Sequence, residues 1–139
     1  MMSPDEYRQL MRRARGQGLA LRLACCFLWR TSTRPGEMRA VCWENVDWAL
    51  GVIRLPSLKL NAEDRVIGLD GRMLRLLRWL HCRRQPPADT WIFLDAAGQP
   101  WTGIGWSKTF RAWADRAELP KLTCYDLRRA FLARATRAA

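Results

Sequence analysis

The spacing of apolar residues changes several times along the chain, and each change predicts an element. Ser3 stands before Pro4 and three residues before Glu6, which is a capping box with proline at the first helical position, and predicts a helix to about Arg15. Gly16-Gln17-Gly18 interrupts it. Residues 19–29 are apolar except for Arg22 and predict a second helix lying in the core. Pro35 suits the first turn of a third helix, with Arg34 at its start and Met38, Val41 and Cys42 fastening it to the core. Trp43-Glu44-Asn45-Val46-Asp47 leads out of it. Residues 51–55 and 65–69 alternate and are rich in β-branched residues, so they predict an antiparallel hairpin. Its polar turn is Asn61-Ala62-Glu63-Asp64, Lys59 lies near its tip, and Pro56 marks either an edge strand or an interruption.

In the second half, Asp70 is placed to cap a helix over residues 71–84, with Met73, Leu76, Leu77 and Leu80 on one face and Arg72, Arg75, Arg78 and Arg83 on the other. Residues 85–89 predict a loop, 91–94 a short strand and 97–100 a turn. Trp106, Phe110, Trp113 and Ala117 recur at helical spacing and predict a helix packed through large aromatics. A final helix is expected to begin near Tyr125 or Asp126 with Leu127, Phe131 and Ala135 inward. The expected fold class is α+β, mainly α, in a single domain over residues 1–139 with a small antiparallel sheet or hairpin on a helical core.

Charge narrows the function. The 139 residues carry 24 Lys+Arg against 13 Asp+Glu, a net charge of +11, which favours a polyanionic partner and puts nucleic acid first. Residues 8–30 hold six arginines and no acid, and residues 127–139 hold four arginines and no acid, so binding should depend on salt. The apolar run at 19–29 is too short to span a bilayer and the N-terminal residues lack a signal-peptide pattern, so no membrane is expected and the cytoplasm is the default. Five cysteines without CxxC spacing, and a lone His81, argue for reduced thiols and against a metal site.

Thr33-Arg34-Pro35-Gly36-Glu37, continuing through Ala40 to Trp43-Glu44-Asn45-Val46-Asp47, resembles the Arg-Gly-Glu helix and Trp-x-x-Val-Asp segment of the tyrosine recombinase, or phage integrase, family. Lys59 falls where that family places a hairpin lysine, and residues 122–131 resemble its His-x-Leu-Arg-His segment. The resemblance implies a recombinase-type catalytic domain acting on double-stranded DNA, with other recombinase protomers as further partners. It also implies transesterification by a tyrosine through a 3′-phosphotyrosyl bond, with no cofactor and no small-molecule substrate. Arg34 and Arg128 would clamp the nonbridging phosphate oxygens, because a guanidinium is planar, permanently charged and donates two parallel hydrogen bonds. Lys59 would protonate the departing 5′ oxygen. Arg129 joins these three as a candidate DNA contact, and Glu37 reads as support for the arginine helix.

Each assignment has a plainer counterpart: Arg34 and Arg128 paired with acids such as Glu37 or Asp126, and Lys59 solvated at a hairpin tip. The chain also departs from the family pattern. Tyr125 stands at the first histidine, where a phenol donates to phosphate but is a poor proton shuttle at neutral pH, and Arg129 replaces the second histidine. Leu60 replaces the threonine that often follows the lysine, and neither Tyr7 nor Tyr125 is in the nucleophile's place. The chain stops at Ala139 and begins without the family's preceding helical domain. The expectation is therefore a partial catalytic domain that binds DNA and does not cleave it alone. The alternative is a non-catalytic basic module, binding DNA or another partner, that keeps the recombinase fold.

Overall fold

The computed structural model describes residues 2–14, 18–57, 59–60 and 62–138. Among these, the order is α1 (Pro4–Ala14), α2 (Leu19–Arg30), α3 (Pro35–Ala40), a 3-10 turn (Trp43–Asn45), β1 (Val46–Asp47), β2 (Val52–Leu55), β3 (Arg65–Gly68), α4 (Gly71–Arg84), α5 (Gly103–Arg116) and α6 (Tyr125–Ala138). No helix among the described residues is long and apolar enough to cross a membrane.

Caps set several of these boundaries by satisfying first-turn amides that have no intrahelical partner. The Ser3 hydroxyl accepts from the Glu6 amide at 3.1 Å and Glu6 accepts from the Ser3 amide at 2.9 Å, the reciprocal capping box. Asp70 accepts from the Met73 amide at 2.7 Å to start α4, and Thr102 accepts from Gly105 at 2.9 Å to start α5. Asp126 accepts from the Thr123 amide at 2.7 Å where the chain enters α6.

Helix α2 is the central element. Its residues Leu21, Leu23, Ala24, Cys25, Phe27, Leu28 and Trp29 are buried, and it packs on α1, α3 and α6. Phe27 meets Phe93 with ring centroids 4.7 Å apart. The aromatic helix α5 packs on α1, and a chain of ring contacts runs into and along it, Trp101 to Trp106 to Phe110 to Trp113, with all four rings buried. Tyr7 of α1 stacks on Trp29 at 4.3 Å, and the Arg134 guanidinium of α6 lies 3.7 Å from the Trp29 ring centroid, tying three helices at one indole.

The sheet is antiparallel in the order β1-β2-β3. Ile53 and Leu55 of β2 are fully buried while Arg54 faces out, the period-2 pattern of a half-buried sheet. Ile67 pairs with Ile53 and Arg65 with Leu55, so Arg65 shares the inward face. At the β1–β2 turn the Asp47 carboxylate accepts from the Leu50 amide at 2.9 Å and the chain turns at Gly51 with φ 67°. A side chain at Gly51 would be strained and would meet Leu74 Cδ1 at 3.1 Å.

Some expectations are sharpened and others need correction. The hairpin is one side of a three-stranded sheet, because the segment leading out of α3 pairs as β1. Pro56 marks an interruption, since β2 is the central strand and ends at Leu55. Residues 91–94 form only isolated bridges, Cys42 to Trp91 and Leu94 to Pro100. Their neighbourhood bonds instead to the chain after α3, with the Ile92 amide donating to Val41 at 3.1 Å and the Trp43 amide to Thr90 at 3.1 Å. Helix α3 ends at Ala40, so Val41 reaches the core from beyond it and Cys42 is half-buried. In α6 the inward residues are Leu127 and Ala130; Phe131 is half-buried and Ala135 exposed. The expected helix end at Arg15, the break at Gly16-Gln17 and Asn61 of the hairpin turn lie outside the described residues.

Truncating the central packing should be costly. Phe27→Ala is expected to lower unfolding free energy by about 3–5 kcal/mol, whereas Ala135→Ser should stay within about 0.5 kcal/mol. Urea denaturation followed by circular dichroism distinguishes the two.

Candidate nucleic-acid interface

The segment 31–37 presents two charged groups side by side on one groove. The Thr31 hydroxyl donates to the Phe27 carbonyl and Thr33 is wholly buried, which fixes the exit from α2. Pro35 then opens α3, with Arg34 immediately before it and Glu37 one turn in. Glu37 accepts from the Arg34 amide at 2.9 Å, so its carboxylate is drawn back over the helix start. Arg34 projects outward with about half of its side chain exposed (53%).

Arg65 reaches Glu37 from β3. Its Nε donates to one carboxylate oxygen at 3.0 Å and its Nη2 to the other at 2.7 Å, a two-toothed pair. The same Nη2 lies 3.2 Å from the Ser32 carbonyl, and Arg128 Nη1 donates to that carbonyl at 2.6 Å from α6. Arg34 Nη1 is 3.8 Å from Glu37, a loose ion contact beyond hydrogen-bond distance. Three guanidiniums from α6, β3 and the start of α3 thus converge on one carboxylate and one backbone carbonyl.

The electrostatics follow from this crowding. Burial works to raise the Glu37 pKa, but the hydrogen bonds from Arg65 and the Arg34 amide, with the charges of both arginines, hold it below its ordinary value. Arg128 is pushed below the usual guanidinium range by partial burial and then by the nearby charges of Arg34 and Arg65. One carboxylate does not balance three guanidiniums, so the site keeps an excess of positive charge beside an open groove. The groove is lined by Arg34, Glu37, Leu55, Ser57, Lys59, Glu63 and Arg65, and Lys59 is exposed on its rim.

The remaining named residues lie on or near α6. Tyr125 is half-exposed, one turn before Arg128, and its phenol sits close enough to influence that guanidinium. Arg129 is outside the groove and pairs with Asp126 at 3.2 Å, so the acid that the sequence offers to Arg128 is taken by its neighbour. Tyr7 is remote from this face, stacked on Trp29, with its pKa pushed well up by burial and then by Cys26.

Residues 1–138 match the sequence model of the phage integrase family. The chain belongs to that family. Prophage integrase IntA of Escherichia coli (strain K12) is 30% identical over 74 residues, a match covering 50% of this chain and 18% of that protein. Among solved structures, XerA recombinase superposes with a TM-score of 0.80 at 20% identity, covering 99% of this chain and 50% of that one. The Tn1549 transposon integrase in complex with transposon right end DNA gives 0.82 at 15% identity, covering 99% and 53%. The lambda integrase dimer bound to a COC′ core site gives 0.74 at 19%, covering 94% and 39%. This phage integrase family chain therefore spans about half or less of the length of these relatives.

Arg65 belongs to no motif, although the sequence carries a signal for it. Alternation in Arg65-Val66-Ile67 places the arginine on the same face as Ile67, toward the core, where a charge needs a partner. Counting that parity from the hairpin pairing finds it.

Because the Glu37 pKa is depressed on folding, the stability it contributes is present above the unfolded carboxylate value of about 4.3 and is lost as pH falls through the lower folded value. Glu37→Gln should therefore lower the thermal midpoint at pH 7, and the gap to the parent should shrink as pH is brought below 4. Melting curves across pH measure it.

Proposed function

We propose that the chain is a partial recombinase catalytic domain that binds double-stranded DNA, with Arg34 and Arg128 as the phosphate clamp. The observation that carries this reading is the convergence of two arginines 94 residues apart in sequence on one positively charged face, where Arg128 bonds to a backbone carbonyl and Arg34 has only a loose 3.8 Å contact to a carboxylate that Arg65 already occupies. Guanidiniums so placed donate to the nonbridging oxygens of a phosphodiester and oppose the charge that develops when phosphorus is attacked. Lys59, exposed on the rim of the groove that Arg34 also lines, would protonate a departing 5′ oxygen. Tyr125 donates a hydrogen bond to phosphate from the first turn of α6, and Arg129 adds a contact to the flanking backbone.

Phosphotyrosyl strand transfer needs a tyrosine hydroxyl in line with the phosphorus. Tyr7 is partly buried, stacked on Trp29 with its pKa raised by burial, and Tyr125 occupies the family's histidine position. We therefore assign the 139-residue chain DNA binding without cleavage, as one unit that works with other recombinase protomers. Neighbours of the same fold include integrases described bound to DNA as a dimer and as a tetramer on a Holliday junction, which supports this choice of partners. We place the protein in the cytoplasm, where its cysteines would stay reduced; burial raises the Cys25 and Cys124 pKa values, which disfavours the thiolate form.

Arg34→Ala and Arg128→Ala should each weaken binding to a short duplex by about tenfold or more, the worth of a charge-assisted hydrogen bond, with circular dichroism unchanged. Log affinity should fall linearly with log salt, and each variant should reduce the slope by about 0.9, one lost phosphate. Affinity indifferent to salt would remove the DNA reading. On a nicked duplex the chain should form no covalent adduct by denaturing gel, and an adduct would overturn the assignment of binding alone.

A further inference from the structure

We propose that Arg65 is a positioning residue of the phosphate site: it occupies the Glu37 carboxylate and braces Arg128 through the Ser32 carbonyl, leaving the Arg34 guanidinium free to take a phosphate. The role in DNA binding rests on the reading above; the partition of charge among the side chains does not.

Glu37 is the acid closest at hand for Arg34, one turn along the same helix start. An arginine left beside a free carboxylate pairs with it, and a paired guanidinium must break that contact before it binds phosphate. Here both carboxylate oxygens are already held, at 3.0 and 2.7 Å, by the fork of Arg65, and one of them also accepts the Arg34 amide at 2.9 Å. Arg34 Nη1 is left at 3.8 Å, close enough to be attracted and too far to be bound. The Arg34 guanidinium makes no hydrogen bond among the described residues.

The second contact explains why this task falls to an arginine. Arg65 Nη2 donates to Glu37 and to Ser32 O at once, and the same carbonyl takes Arg128 Nη1, so one residue references both clamp arginines to a common frame. A lysine ammonium has no planar fork with which to cover both carboxylate oxygens and reach the carbonyl. Arg65 is anchored by the β2–β3 ladder opposite Leu55, which gives the fork a more rigid base than a loop would.

The competing possibility is that Arg65 touches phosphate itself, since a third of its side chain is exposed (37%). The two roles differ in how they respond to loss of the carboxylate. If Arg65 acts by occupying Glu37, then Arg65→Ala lets Glu37 capture Arg34, and adding Glu37→Gln removes the captor and restores binding. If Arg65 contacts phosphate, or only supports the fold, Glu37→Gln restores nothing.

Duplex affinity should therefore be measured by fluorescence anisotropy for the parent, Arg65→Ala, Arg65→Lys, Glu37→Gln and the double variant, with thermal melts alongside. Arg65→Ala should bind about tenfold more weakly, the scale of one charge-assisted hydrogen bond. Arg65→Lys should not recover the loss, and the double variant should recover most of it. A double variant no better than Arg65→Ala overturns the proposal. If Arg65→Ala does not fold, Arg65→Gln, which keeps a donor for Ser32, replaces it in both arms. In the free protein, 15N NMR of the Arg34 guanidinium gives a reading that needs no DNA: rotation about its Nε–Cζ bond should slow in Arg65→Ala and return to the parental rate in the double variant. An unchanged Arg34 signal sinks the proposal even if DNA binds, whereas failure of the parent to bind DNA sinks the DNA reading while this signal still decides the role of Arg65.

Discussion

The carboxylate of Glu37 is the contact through which three distant parts of the chain are held in register. It bonds to the start of its own helix, to β3 through Arg65, and through the Ser32 carbonyl that Arg65 shares it is tied to α6. A nearly buried acid carries a desolvation cost, and a partner with two parallel bonds is what makes such a site tenable. Removing either partner strands the other, so the start of α3 and the start of β3 are fixed together. Arg34 inherits its outward direction from this arrangement, because the position beside Glu37 is filled.

Most helices were legible because their caps and periods agree. Ser3 with Glu6, and Asp70 before Met73, make the bonds their spacing predicts, and the stripe from Trp106 to Trp113 buries as its period requires. The misreadings occur where local pattern gives out. Strand β1 is two residues long, too short for any alternation, and exists because β2 offers it a free edge. Residues 91–94 have strand-like composition but bond to the chain after α3, a choice made by tertiary contact. Ala135 continues the period of Leu127 and Phe131, yet α6 runs past the surface it packs on before reaching that turn.

The site divides in the same way. Arg34 and Arg128 were found by motif, while Arg65, which touches both of the groups around them, belongs to no motif and is visible only once strand parity is counted. Charge was informative in sum and misleading in detail. Arg30 pairs with Asp70 at 3.0 Å, Arg84 donates to the Ile92 carbonyl at 2.8 Å, Arg111 to Pro120 at 3.1 Å, and Arg134 lies on Trp29. Several arginines, Arg30 and Arg134 of the basic blocks among them, thus serve as struts between elements, and the positive face is narrower than the net charge suggests.

The common anchor of Arg65 and Arg128 is a main-chain oxygen, and this has a bearing on how the site ages under mutation. No single-base change deletes a carbonyl, so drift at position 32 can alter the side chain while the acceptor survives, provided the neighbouring threonines keep the chain on its path. Substitutions that endanger the anchor are therefore those at Thr31 and Thr33, which touch neither arginine. A lineage could lose the geometry of its arginine cluster through two buried hydroxyls while every charged residue of that cluster remained in place.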